Sequence, residues 1–342
     1  VRLNASYARD TRDNKTSSQS YPAVTTDMFV GSGLRTNLPY RFWQGRFKVD
    51  AEYRGPRGLK AVVGADYDQI ERSYQEAVRT RETTIWGRLG AQLHPTTRVE
   101  LKLAHAQRNP STYGIANWLE SPQNPLLRKY NLAERTRDTV GLRADVAVSD
   151  EVTVGVSADY SKDDYSRSTI GLLDGRDTSV GADLSYALSH ESRIYLYANS
   201  EEVRSRQAGS QAFAQPDWWA LTKDRINVVG AGIKHVLMKG KLELGGDISY
   251  SRSRSDITME PAAPTGSFPT ATVDFESLKL YATYHLRENL SLIGSYWYEH
   301  YDASDWRLDG VQPDTVPNLL AFGNQAPNYT QNVVRVSLRY RF

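Results

Sequence analysis

The chain has 342 residues, a formal net charge of +2, no cysteine and a hydrophobic fraction of only 39%. That composition excludes disulfides, thiolate metal sites and covalent haem attachment, and charges spread evenly along the chain give no basic patch for nucleic acid. No run of about 18 apolar residues encodes a transmembrane helix, yet a membrane barrel stays open, because barrel strands hide their hydrophobicity in alternation.

Val1-Arg2-Leu3-Asn4-Ala5-Ser6-Tyr7 alternates as a strand from the first residue. With no initiator Met and no signal peptide, the sequence reads as a processed chain or a piece of a longer one. From Arg41 to Tyr53 the period of two is clear: Trp43, Gly45, Phe47, Val49, Ala51 and Tyr53 alternate with Gln44, Arg46, Lys48, Asp50 and Glu52. Gly55-Pro56-Arg57-Gly58 supplies a turn, and a second alternating run starts at Leu59.

The same hairpin recurs around Pro95–Thr97, Ser149–Glu151, Ser189–Glu191, Met238–Gly240 and Arg287–Asn289. The run Ile226–Leu237 is ambiguous, since it carries apolar residues on both faces. The last run, Val333–Phe342, sets Val334, Val336, Leu338, Tyr340 and Phe342 against Arg335, Ser337, Arg339 and Arg341.

The pattern predicts about fourteen strands of roughly 9–13 residues, the length a tilted strand needs to cross a bilayer. Longer connections are predicted over 10–40, 69–82, 109–137, 162–178, 202–223, 254–273 and 302–329. Tight turns on one side and long loops on the other give the expected fold class. It is an all-β, transmembrane, antiparallel up-and-down barrel in the bacterial outer membrane, with short periplasmic turns and long extracellular loops, and with 1–342 as a single domain.

One face of these strands is Val, Leu, Ile, Ala, Gly and Tyr, with aromatics at strand ends (Trp43, Tyr53, Tyr67, Tyr160, Tyr186, Tyr250, Tyr284, Tyr298) placed as interfacial girdles. The other face is densely charged. Candidate lumen-facing and partner-facing residues there are Arg46, Lys48, Asp50, Glu52, Arg88, Lys102, Arg143, Asp145, Lys279, Arg335 and Arg339. Such a face suits a solvated wall with internal ion pairs, or a lumen that holds a folded protein or passes ions.

Catalysis has little support. His300 with Asp302 and Asp305 lies at a strand end, but no serine of defined spacing joins them. The six histidines have no metal-ligand spacing, and Asp163-Asp164 lacks a calcium-loop consensus. Phe213–Trp219 could dock a partner or fold back on the rim. The chain reads as a non-enzyme that binds no cofactor and no metal itself.

Asn124-Pro125-Leu126-Leu127-Arg128-Lys129-Tyr130-Asn131-Leu132-Ala133-Glu134-Arg135-Thr136-Arg137 resembles a loop segment of the MtrB/PioB family of outer-membrane barrels associated with decahaem cytochromes. Val154–Tyr165, Ile170–Arg176 and Ile194–Tyr197 are similar to the segments that follow it in that family. Family members are longer and commonly carry a Cys pair near the start, which is absent here. The resemblance implies an insulating sheath around a periplasmic multihaem c-type cytochrome in the lumen, with a second multihaem cytochrome at the outer surface. Haem c would belong to those partners and the lipid contact to this chain.

Width then matters. Fourteen strands about 4.8 Å apart and tilted about 40° close at a radius of roughly 14 Å, leaving a lumen under about 20 Å wide. That is tight for a folded cytochrome, so the sequence is expected to be the carboxy-terminal part of a wider barrel or a smaller relative. The competing function is a general diffusion porin for small polar solutes.

Overall fold

The computed structural model describes residues 1–14, 20–24, 30–36, 38–56, 58–114, 123–261, 267–306 and 328–341. Phe342, Arg57 and parts of the connections 10–40, 109–137, 254–273 and 302–329 lie outside the described residues. The strands are β1 (Arg2–Asp13), β2 (Ser20–Val24), β3 (Val30–Thr36), β4 (Arg41–Arg54), β5 (Lys60–Arg72), β6 (Arg79–His94), β7 (Thr97–Pro110), β8 (Leu127–Arg128) and β9 (Arg135–Ala147). They continue with β10 (Val152–Asp164), β11 (Ile170–Ala187), β12 (Ser192–Gly209), β13 (Trp218–Leu237), β14 (Leu242–Glu260), β15 (Ala271–Arg287), β16 (Leu290–Ser304) and β17 (Tyr329–Tyr340).

One sheet runs β1-β4-β5-β6-β7-β9-β10-β11-β12-β13-β14-β15-β16-β17, each strand antiparallel to the next. These are the fourteen long strands the alternation predicts. Two short additions were not foreseen: a β2–β3 hairpin inside the first connection, and β8, which pairs parallel with the start of β11. β1 and β17 are the first and last strands of this path.

Strand length departs from expectation. β11, β12, β13 and β14 span 18, 18, 20 and 19 residues. The connections predicted over 162–178, 202–223 and 254–273 are therefore largely strand. An apolar face marks a strand only where it meets lipid, and it lapses where both faces meet water. Tyr250-Ser251-Arg252-Ser253-Arg254-Ser255 is polar on both sides yet remains in register with β13 and β15. On β13 the outward apolar series ends at Val229, and the strand continues for about 33 Å to Trp219.

Register confirms two faces. Leu3, Ala51, Val63, Gly87, Leu103, Val140 and Tyr160 are successive cross-strand partners, and so are Val154, Leu184, Leu196, Ala231, Ile248, Leu278 and Tyr298. The side chains of this face are exposed or half-buried, with Val63 at 61%, Ile85 at 65% and Ile248 at 57%. A face of exposed aliphatics ringed by tyrosines must meet lipid, since in water it would be a large unshielded apolar surface. No helix among the described residues exceeds the three-residue turn Met238–Gly240.

Among the described residues, Ala77, Leu132, Ala133, Tyr165 and Ile170, each at most 4% exposed, form a buried cluster at the long-connection end. Glu76, at 5%, lies among them.

Candidate functional site: a charged inner wall and a loop clasp

All eleven charged candidates share the face opposite the aliphatics. Arg46 and Lys48 lie opposite Asp68 and Asp66, with ion pairs of 3.8 and 3.7 Å. Glu52 holds Arg54 at 2.5 Å and Lys60 at 3.4 Å, and Asp50 accepts a hydrogen bond from Asn4 Nδ2 at 2.7 Å. Arg143 bridges Asp145 at 2.7 Å and Asp183 at 3.0 Å.

Cations without an ion pair among the described residues rest on other groups. Arg88 lies 5.2 Å from the Trp86 ring centre and Lys279 lies 4.7 Å from that of Trp297. Arg335 Nε donates to Ser337 Oγ at 3.1 Å. Lys102 lies opposite Gly141 and Arg339 opposite Ser291. The wall is thus ionically self-satisfied at many points but leaves cations open on β6–β7 and β15–β17.

Tyrosines on β12 and β15, which sequence reasoning had not singled out for this face, cover the wall between these charges. Tyr195 and Tyr197 stack with centroids 6.4 Å apart, and Tyr195 Oη donates to Asp247 at 3.0 Å. They lie over Gly232 and Gly230: a Cβ at Gly232 would sit 2.1 Å from the Tyr195 ring. The legible signal was a tyrosine on one strand opposite a glycine on the next.

The family-type loop motif folds into a clasp at the long-connection end. Asn124 begins it: its Oδ1 accepts the Leu126 N–H at 3.0 Å, and its Nδ2 donates to Ala214 O at 3.0 Å. After Pro125, Arg128 donates back to Pro125 O and lies 4.4 Å from the Tyr113 ring centre. The Lys129 N–H donates to Tyr113 Oη at 3.1 Å, and burial pushes the Tyr113 hydroxyl above its ordinary pKa. Lys129 Nζ pairs with the buried Glu76 at 2.6 Å.

Past this point Leu132 is fully buried, and Arg108 of β7 donates to the carbonyls of Tyr130 and Ala133. Arg135 makes two hydrogen bonds of 2.9 Å to the Glu82 carboxylate, and Arg137 makes two to Asp163. These groups lie on the charged face, so the clasp is tied to the inside of the wall. Gly171 permits its last contact: φ is +110°, and a Cβ there would sit 2.3 Å from Arg128 O.

Other candidates separate. Asp163 is taken by Arg137, while Asp164 points to the opposite face and accepts the Ser166 N–H, so the pair forms no shared cation cradle. His300 bonds to Thr330 and Asp302 to Asn328, both toward the lipid-facing side. Trp218 and Trp219 open β13 on opposite faces and do not form a loop tip; Phe213, 56% exposed, remains in the connection.

A one-sheet, two-faced wall with this loop motif matches one family over residues 1–342, that of the MtrB/PioB outer-membrane β-barrel porins. The chain belongs to the MtrB/PioB family. It is 33% identical over 342 residues to the outer membrane protein MtrB of Shewanella baltica (strain OS185), covering all of this chain and 49% of that protein. The chain therefore spans about half the length of the curated relative it matches.

Solved barrels agree on fold alone. The siderophore receptor PiuA of Acinetobacter baumannii matches 99% of this chain and 55% of its own length, at TM-score 0.56 and 14% identity. The ferric citrate transporter FecA matches 88% of this chain and 48% of its own, at TM-score 0.55 and 9% identity. This is an outer-membrane β-barrel protein of the porin-like MtrB/PioB type.

Proposed function

We propose that this chain is a wall segment of an outer-membrane sheath that holds a periplasmic multihaem c-type cytochrome across the membrane for extracellular electron transfer. The observation that carries this reading is the inner wall of mixed sign, with open cations at Arg88, Lys102, Lys279, Arg335 and Arg339 among internally paired charges. A soluble protein's surface is itself a mosaic of charge, and such a wall matches it without a large single-sign field. The chain's own role is positional and non-enzymatic: it excludes lipid while the partner carries the haem. The clasp would shape the outer mouth, where a second multihaem cytochrome would dock.

The test is purification of the full-length protein in mild detergent. Haem protein should co-elute, and joint reversal of Arg46, Lys48, Arg335 and Arg339 to Glu should release it while the barrel still assembles. Single reversals should do little, because exposed pairs contribute only about 0–1 kcal/mol each. The internally paired wall also suits passage of small polar solutes. Ion conductance in bilayers with no haem protein bound would favour that diffusion-porin reading.

A further inference from the structure

The projecting part of β10–β14 carries, on its outward face, a row in which the register sets cation directly opposite cation. Lys162, Arg176, Arg204 and Lys223 are direct cross-strand partners in one row over four consecutive strands. Arg225 and Arg254 form another like-charge pair beside them. Like charges directly opposite one another destabilise a sheet. Arg206 and Arg252 complete a group of eight cations.

Carboxylates meet the row at its two ends: β9 sets Asp138, which also holds His105 at 2.6 Å, opposite Lys162, and β14 sets Asp256 opposite Lys223. Glu202 is shared by Arg204, Lys223 and Arg225 at 2.6, 3.1 and 3.0 Å. Asp174 takes Arg206 at 2.8 Å, and Asp274 lies 3.6 Å from Arg252 while accepting the Tyr250 hydroxyl. Asp164 and Asp256 accept hydrogen bonds from the Ser166 N–H and the Thr270 hydroxyl. Lys162, Arg176 and Arg254 have no ion-pair partner among the described residues. Four of the cations (Lys162, Arg176, Arg204 and Arg206) line one cavity of about 670 Å³ with Ser166, Ser168 and the carboxylates Asp164 and Asp174.

Height decides what meets this surface. On β10 the outward series is Val154, Val156, Ala158, Tyr160 and then Lys162; on β14 it is Ile248, Tyr250 and then Arg252 and Arg254. Tyr160 and Tyr250 mark the membrane interface, so Lys162 and Arg252 stand at the level of outer-leaflet headgroups, while Arg204 and Lys223 stand higher, about 20 Å along the strand above Ala198 and Val229. These cations face away from the lumen and from any luminal partner.

We infer that this patch is a binding site for a phosphorylated glycolipid of the outer leaflet, with the headgroup phosphates on the row Lys162, Arg176, Arg204 and Lys223 and the acyl chains on Val156, Ala158, Val180 and Val229. Phosphate oxygens accept several charge-assisted hydrogen bonds at once, and guanidinium groups fit them bidentately. The anion supplies counter-charge along the middle of the row, where the register sets cation opposite cation.

The test uses full-length protein extracted from native outer membranes in mild detergent, with glycolipid retained per barrel measured by mass spectrometry. The joint variant Lys162→Gln, Arg176→Gln, Arg204→Gln and Lys223→Gln should lose roughly tenfold or more of the retained glycolipid. Its heat-modifiable migration should stay intact, which certifies assembly. The conservative variant Arg176→Lys with Arg204→Lys should keep most of it. A matched loss of four inner-wall cations (Lys48, Lys102, Lys279 and Arg335 to Gln) should leave retention unchanged.

A second arm adds lipid back to delipidated protein and follows its thermal unfolding. The phosphorylated glycolipid should raise the midpoint in wild type and leave it unchanged in the joint variant. Equal retention by that variant would overturn the site. So would an equal shift from the dephosphorylated glycolipid. An equal shift from inorganic phosphate alone would mark a free-anion site and overturn the lipid assignment.

Discussion

The Lys129–Glu76 pair concentrates what the clasp needs. The Glu76 side chain is 2% exposed and Lys129 reaches it from a 36% exposed position. Lys129→Met strands a buried carboxylate, a loss of roughly 3 kcal/mol at the low end of the range for broken buried pairs, given the partial exposure of Lys129. The expected result is local: trypsin should cut faster after Arg128 and Arg135 while the barrel keeps its heat-modifiable migration. Adding Glu76→Gln should restore part of the protection, since the stranded charge is then gone. An unchanged cleavage rate in the single variant would refute the clasp. Gly171→Ala should open the same segment from the other side, because its Cβ would collide with Arg128 O at a positive φ. Slower cleavage there than in wild type would contradict the close approach.

At the scale of elements, the projecting strands make an accessibility prediction. Cysteines placed at Lys223 and Arg254 should react with a membrane-impermeant maleimide on intact cells, whereas those at Val229 and Ile248 should be shielded by lipid. Equal labelling of the two sets would mean that the outward face or the membrane height is misassigned. The strands' existence and facing were legible because lipid imposes a strict period of two: Val49, Val154 and Leu280 could be assigned without coordinates. Strand ends were not, since above the membrane nothing requires an apolar residue. Ser251 to Ser255 alternates Ser with Arg, a period of two that hydropathy alone does not register. The cation row was hidden for a related reason. Lys162, Arg176, Arg204 and Lys223 lie far apart in sequence, and only the register unites them. The clasp motif was visible, but its anchors Glu76, Glu82 and Tyr113 were not, because nothing in their spacing ties them to residues 124–137.

For the whole molecule, the decisive quantity is the number of strands around the lumen. β1 and β17 are the first and last strands of the fourteen-strand path. If those two strands were neighbours, the backbone radius would be roughly 14 Å and the lumen under about 20 Å wide. The sheath reading needs more width, so it requires further strands between β1 and β17 in the working barrel. Cysteine pairs test this in native outer membranes with a short bis-maleimide linker. Ser6→Cys combined in turn with Arg335→Cys, Ser337→Cys or Arg339→Cys samples the registers that closure could adopt on the charged face. None should link. Ile293→Cys with Ser337→Cys, which are direct partners across β16 and β17, should link readily and certifies the chemistry. Efficient linking of β1 to β17 would close the barrel at fourteen strands, leave no room for a folded cytochrome, and make passage of small polar solutes the function that the same charged wall serves.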